Sequence, residues 1–340
     1  MNQDCEMDVV VEPSESSESS EPSEPQKGNM DYLAKLNAHP RDQHIRFFEE
    51  GHIYEIYGQR GQYTSVTTWN HSLFSHFDAE ACVAKIVKNS RWKNDPGYKY
   101  HQMSAEAIKL KWDVTRDEAS RAGTLMHLNI EQYYNGLDVQ NDSIEFTYFR
   151  NFLADFPQLE PYRTEWCVFH EELKLSGSID MVFRDRDTGE FLIYDWKRSK
   201  EIEYEPAYGK KTSHVPCLSD MPDCNFWHYS LQLNTYRYIL ETKYNMTISG
   251  MYLIVLHPEN YPKTYDRVKV HDLRHKMDDI WAYRQSIILD VHTSSETDIH
   301  TSEPDSESEP IQNMDTAILN EPVLECSRGL VIVHPSELAN

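Results

Sequence analysis

The sequence predicts an α/β fold: a mixed, largely antiparallel sheet flanked by helices, in one domain over about residues 31–290. Three observations predict it. Residues 173–197 read as a β-hairpin, helical patterns lie before and after that hairpin, and both chain ends have compositions that cannot build a core.

Residues 1–30 are dominated by Ser, Glu and Pro and carry eight acids against one Lys; residues 291–340 carry ten acids against one Arg. Such segments bury too little apolar surface to offset their conformational entropy, so both are expected to be largely disordered acidic tails. They hold −16 of the formal charge of −23 and leave −7 on the folded part. The acidic total therefore excludes no nucleic-acid partner, because local patches decide that. The tails read as solvated segments, with the binding of protein partners as the alternative. Six cysteines lack any close repeated spacing, the N-terminus is acidic and polar, and no apolar run is long enough to span a membrane. An intracellular protein, neither secreted nor membrane-bound, is expected.

Residues 44–57 (HIRFFEEGHIYEIY) alternate as two short strands about Glu49, Glu50 and Gly51. TSVTT at 64–68 supplies caps for one helix over about 69–87. Residues 81–121 form a helical insertion with nine Lys or Arg against five acids, interleaved with Trp92, Tyr98, Tyr100 and Trp112. Cations among aromatics suit a single strand of nucleic acid whose bases stack on the rings. An amphipathic helix pair with snorkelling lysines accounts for the same composition. A helix follows over 123–136 (GTLMHLNIEQYYNG), starting near Gly123 or Thr124 and stopped by Asn135 and Gly136. His127 and Glu131, four apart, share a face of it. They read either as a structural hydrogen-bonded pair or as donors turned toward the hairpin.

Another helix is expected over 142–156, ended by Pro157, then a strand over 162–170 that carries Glu165. After the hairpin come an irregular loop over 198–222, a helix over 223–244 with Gln232 and Tyr236 on one face, and an apolar strand over 248–257. An edge strand at 268–270 and an amphipathic helix over 272–288 close the domain.

In the hairpin, Leu173, Leu175, Gly177, Ile179, Met181 and Phe183 alternate with Lys174, Ser176, Ser178, Asp180 and Val182, the period of a half-buried strand. Asp187, Thr188 and Gly189 supply the turn. Asp195 and Lys197 leave one face of the second strand, and pairing brings Asp180 toward them. Two converging carboxylates repel unless a cation lies between them, and oxygen donors suit Mg²⁺ or Mn²⁺ over zinc. Carboxylates that hold a cation, with an ammonium beside them, suit metal-assisted phosphodiester hydrolysis.

Taken in order, TSVTT at 64–68, GTLMH at 123–127 with Glu131, GSID at 177–180, DWK at 195–197 and QLNTY at 232–236 resemble the PD-(D/E)XK nuclease superfamily. Within it the likeness is to the RecB-like exonuclease branch, which includes mitochondrial genome-maintenance exonucleases and phage and viral relatives. The resemblance covers about residues 63–254. It implies a restriction-endonuclease-like α/β/α core and divalent-metal cleavage of DNA, as an exonuclease on single strands or ends in repair, recombination or replication. Asp180 and Asp195 would be metal ligands, Lys197 the catalytic lysine and His127 a further ligand, with Glu131 as a partner on the same helix. Gln232 and Tyr236 would place DNA or support the site, and Glu165 matches a less constant acidic position. The basic region falls where relatives place a helical arch that threads single strands, which makes Lys85, Lys88, Arg91, Lys109, Lys111, Arg116 and Arg121 the expected DNA contacts. Cytoplasm, nucleus or a site of viral replication would be its location.

Ile179 stands where Pro is common in this superfamily. The late cysteine cluster of relatives with an iron–sulfur centre is missing from the sequence, so none is expected. A structure-selective endonuclease, an RNA nuclease and a non-catalytic nucleic-acid-binding module on the same scaffold are the alternatives.

Overall fold

The structure is a computed structural model that describes residues 28–206 and 209–297, with side chains as far as residue 290. The expected tails lie almost entirely outside the described residues. A short helix α1 (Tyr32–Leu36) precedes a small antiparallel sheet of β1 (Ile45–Phe48), β2 (Ile53–Ile56) and β3 (Gln59–Arg60). The predicted hairpin over 44–57 thus forms with its turn in place, but gains a third strand and stands apart from the main sheet.

The main body follows: β4 (Thr64–Ser65), α2 (Val66–Ser72), α3 (Ala79–Lys88), α4 (Ser90–Asn94), α5 (Ala105–Tyr134) and α6 (Ile144–Asp155). Then come β5 (Leu159–His170), β6 (Leu175–Asp185), β7 (Phe191–Lys197), α7 (Asn225–Lys243), β8 (Ile248–Val255), β9 (Asp266–Lys269) and α8 (Arg274–Thr297). The sheet is mixed. β5–β6, β6–β7 and β8–β9 pair antiparallel, whereas β4–β6 and β7–β8 pair parallel. The parallel β7–β8 pair is reached through α7, as a crossover connection requires.

Helices cover both faces of this sheet. On one face Phe226, Tyr229, Leu233, Tyr236 and Leu240 of α7 pack on Trp166, Val168, Ile179, Ile193 and Leu253. On the other, Met126, Ile130 and Tyr134 of α5 and Phe146, Phe149 and Phe152 of α6 pack on Met181, Phe183, Tyr194, Trp196 and Ile254. This double cover corrects the half-buried reading of the hairpin: β6 is buried on both faces along most of its length. Alternation alone could not show that a second helical layer closes the polar face.

Three helix boundaries differ from expectation. The helix expected over 69–87 is two helices, because Leu73 and Phe74 turn into the core and Asp78 restarts the chain as the cap of α3, accepting from Ala81 N at 2.9 Å. The helix expected from Gly123 begins at Ala105, capped by Ser104, and runs 30 residues. Residues 105–122 hold four Ala with two each of Glu, Lys and Arg, and their propensity carries the helix through Gly123 at a cost of about 1 kcal/mol. The backbone of α8 stays helical to Thr297, past the expected end at 288. From α8 the buried Arg284 donates to Leu173 O (3.0 Å) and Thr64 Oγ1 (2.8 Å), tying β4 to the start of β6, and burial lowers its pKa to about 10.

Candidate metal centre

The site begins with a gap in the sheet. β5 pairs along the whole of β6 and occupies one of its edges. β4 and β7 must therefore share the other edge: β4 takes Leu175 and Ser176, and β7 takes residues 181–184. Among the described residues no strand pairs with 177–180 on that edge, and this is the GSID segment. Where the ladder stops, Asp180 replaces it with its side chain, since Oδ2 accepts the Trp196 N–H at 2.9 Å. Tyr236 of α7 sits against the same segment. A Cβ added at Gly177 would lie 2.8 Å from both Cε1 and Oη of Tyr236, so that ring needs a glycine beneath it. Gln232, one turn earlier on α7, is buried in the same helix.

Glu165 lies opposite Asp180 across the β5–β6 ladder, between the pairs Thr164–Met181 and Trp166–Ile179. Its φ is +44°, left-handed backbone inside a strand. A non-glycine residue there stores on the order of 1–3 kcal/mol of strain, so its surroundings enforce the conformation. Ser178 Oγ donates to Glu165 Oε2 at 3.1 Å.

His127 descends from α5. Its Nε2 lies 3.0 Å from Trp196 O. A carbonyl can only accept, so Nε2 carries the proton and the neutral ring presents its Nδ1 lone pair to the sheet. Nδ1 is 3.6 Å from Glu165 Oε1 and 3.7 Å from Asp180 Oδ2, and it has no hydrogen-bond partner although it is buried. Three electron-pair donors from α5, β5 and β6 thus face one another, all within 4.8 Å. Only a positive charge relieves that arrangement, either a proton on His127 or a cation held by all three. Burial favours the neutral ring, but Asp180 and Glu165 outweigh it and raise the His127 pKa. Burial likewise raises Asp180 against the pull of His127 and Lys197.

Asp195 and Lys197 lie next to this triangle. They share the parity of Ile193, which packs against α7, and the Lys197 ammonium lies 4.8 Å from the centroid of the Tyr229 ring. Lys197 Nζ is 2.5 Å from Asp195 Oδ2, a buried ion pair. Burial and the neighbouring Asp180 push the Asp195 pKa up to about 7, with Lys197 opposing.

Asp180 and His127 therefore stand together as expected. The third donor of the triangle is Glu165, not Asp195, which is engaged by Lys197. Glu131, one turn beyond His127, lies outside the donor set. Counting register back from the hairpin places Glu165 opposite Asp180. The left-handed backbone at Glu165 leaves no trace in the sequence.

The basic insertion departs from expectation in its aromatics. Tyr100 and Trp112 are buried with Val83 and Ile108, and Trp92 and Tyr98 pack against them. Trp112 Nε1 donates to Tyr100 Oη (2.7 Å) and Trp92 Nε1 to Met103 O (3.0 Å). These rings are the core of the helical insertion, not a platform for bases. Of the expected cations, Lys109 pairs with Glu80, Arg91 with Asp95 (3.1 Å) and Arg116 with Asp113 (3.0 Å), and Arg121 Nε donates to Asp117 O (3.2 Å). Lys85, Lys88 and Lys111 are exposed.

No family model matches the chain, and no curated protein matches it. No helix among the described residues is long and apolar enough to cross a membrane.

Proposed function

We propose that this chain is a divalent-metal-dependent nuclease of the PD-(D/E)XK type that hydrolyses DNA phosphodiester bonds, as an exonuclease on single strands or ends. The observation that carries this reading is the convergence of His127 Nδ1, Glu165 Oε1 and Asp180 Oδ2 beside the Asp195–Lys197 pair. The donors fit a metal. His127 offers a lone pair while its other nitrogen is anchored on a backbone carbonyl, the arrangement that fixes tautomer and ring orientation in metal-ligating histidines. Two carboxylates supply the charge, and one imidazole with two carboxylates suits Mn²⁺ at least as well as Mg²⁺.

A divalent ion held by these three residues would polarise a phosphoryl oxygen and acidify a water. The protein's own groups do the rest. Trp196 O and N orient His127 and Asp180, so the two donors are set by one peptide segment. Ser178 steers Glu165. Lys197 places a positive charge where negative charge builds on the attacked phosphate, and Asp195 and the Tyr229 ring hold that ammonium in place. Tyr236 closes the α7 side of the gap in β6, and Gln232 is buried one turn before it.

The test is cleavage of labelled single- and double-stranded DNA by the full chain with Mg²⁺ or Mn²⁺. Asp180→Asn and Lys197→Ala are each expected to slow cleavage by about a hundredfold or more. Undiminished cleavage in both would remove these residues from the chemistry. Circular single-stranded DNA separates the modes, since an exonuclease leaves it intact and an endonuclease does not. An RNA strand of the same sequence tests the choice of DNA.

A further inference from the structure

β7 and β8 run parallel, so their carboxyl ends lie side by side, and open α/β sheets bind ligands outside such ends. Lys197 closes β7 and stands opposite Val255, the last residue of β8. A further hydrogen bond from Leu256 N to Lys197 O (2.8 Å) extends the pairing to the loop over 257–264. That loop is tied back to the sheet. The buried Asn260 donates through Nδ2 to Val255 O (2.9 Å) and Thr264 O (3.2 Å), and its N–H donates to His257 O (3.0 Å). Glu259 N donates to His257 Nδ1 (3.1 Å), and Glu259 Oε2 is 3.0 Å from Lys200 Nζ in the segment after β7. At the far end Thr264 Oγ1 accepts from Asn151 Nδ2 of α6 (3.1 Å).

Tyr261, next to this anchor, is held outward. It is 96 % exposed, whereas the next most exposed large apolar side chains, Leu289 and Leu110, reach 65 % and 63 %. Among the described residues it makes no hydrogen bond and no ring contact. A tyrosine ring is one of the largest apolar surfaces a side chain can bury, and here a hydrogen-bonded loop presents all of it to water. Its distance from the metal centre is bounded by contacts. The links from Lys197 O through Leu256 N, Val255 O and Asn260 Nδ2 keep the Tyr261 α-carbon within about 16 Å of the Lys197 carbonyl. Trp196, the residue before Lys197, holds His127 through its carbonyl and Asp180 through its N–H.

From this placement we propose that Tyr261 is a stacking platform for one base of a single strand of nucleic acid bound at the metal centre. The inference rests on the nuclease reading and adds a substrate contact to it: the stacked base would lie a few nucleotides from the bond that is cut. The neighbours select a base over an apolar protein surface. Glu259, Pro262 and Lys263 are exposed beside the ring, so it belongs to no wide apolar patch. A lone aromatic face suits a base of any identity, because every base has a π-face. On the same loop the Lys263 ammonium, 3.0 Å from Pro258 O, supplies a cation for the backbone of the strand. A tyrosine has only two side-chain torsions to fix, so little entropy is lost when the ring is covered.

The test is binding of a labelled single-stranded oligonucleotide to the full chain, with divalent metal withheld and salt varied. Tyr261→Ala is expected to weaken binding about tenfold. Its log–log salt slope should match wild type, because a stacked ring neutralises no phosphate. Tyr261→Phe should bind as wild type and Tyr261→Leu as the alanine variant, since the aromatic face makes the contact. A phenylalanine variant as weak as alanine would assign the contact to the hydroxyl and overturn stacking. A single abasic position, moved along the oligonucleotide, locates the base. Wild type should lose about tenfold at one position, and Tyr261→Ala should lose nothing further there. Losses that add at every position, or alanine binding within about twofold of wild type, overturn the platform. The exposed ring supports no fold, so the Tm of Tyr261→Ala should equal that of wild type. A fall in Tm together with weaker binding would make the ring structural and overturn the platform. The two readings fail separately. Binding that depends on the ring sustains the platform even where Asp180→Asn leaves cleavage unchanged. Metal-dependent cleavage with ring-independent binding overturns the platform and leaves the nuclease reading intact.

Discussion

Gly177→Ala tests whether the gap in the sheet is built as described. The added methyl would meet Cε1 and Oη of Tyr236 at 2.8 Å and Cζ at 3.2 Å. Carbon atoms in good contact lie at about 3.5–4.0 Å, so the ring must retreat by most of an ångström. It has little room to do so. Tyr236 is 3 % exposed, sits among Leu233, Ile239 and Leu240 on the buried side of α7, and faces a strand buried on both sides. Inserting a methyl into such a core costs about 1–3 kcal/mol, and the rigid neighbours place this case in the upper half of that range. For a body of this size each kcal/mol shifts Tm by roughly 2–4 °C, so a fall of about 4–12 °C is expected. The assay is urea unfolding at equilibrium for Gly177→Ala, Tyr236→Leu and the double variant. The leucine alone loses packing, but in the double variant it makes room for the methyl, and a coupling of about 1–2 kcal/mol should appear. A single-variant effect below about 0.5 kcal/mol, or strict additivity in the cycle, would refute a ring seated on this glycine. Because Gly177 lies three residues before Asp180 on the same strand, metal affinity should fall along with stability.

Three further outcomes follow from the same geometry. Calorimetry with Mn²⁺ should show His127→Ala and Glu165→Gln each weakening binding at least tenfold, and wild-type affinity should climb as pH rises past the elevated pKa of His127, since the protonated ring cannot ligate; equal affinity in all three proteins would dissolve the donor triangle. Burial lowers His71 from an ordinary value of 6.5 to about 4, with His228 and His76 adding to the shift. A depressed folded-state value means that stability is full above about pH 6.5 and is lost as pH falls toward 4, by up to about 3 kcal/mol, and His71→Gln should flatten that limb of the urea-midpoint profile. Ser65 caps α2 by accepting from Thr68 N at 3.0 Å, so Ser65→Ala should cost about 1 kcal/mol of unfolding free energy, and a loss under about 0.3 kcal/mol would discount the cap.

Local patterning was enough to place most strands and several helices. The turn at Asp187, Thr188 and Gly189, the stop before Pro157 that ends α6 and the apolar run of β8 each act over a few residues, and all three appear where their chemistry puts them. The helix boundaries that moved did so where packing outweighed a local signal. Gly123 looked like a start and is the buried middle of α5, and Leu73 and Phe74 broke one expected helix in two to enter the core.

For the site, residue spacing along the chain placed Asp195 and Lys197 on one face and brought Asp180 toward them, because a period of two residues is a property of the chain alone, whereas His127 as a ligand came only from the family resemblance. Only the tertiary structure decided how these groups are shared out. The division of one edge of β6 between β4 and β7, the left-handed backbone at Glu165 and the second helical layer that buries both faces of the hairpin all depend on segments distant in sequence. Those contacts made Glu165 the third donor of the triangle, set Asp195 against Lys197 and turned the aromatics of the insertion inward. No window of sequence holds that information, since long-range packing aims each side chain.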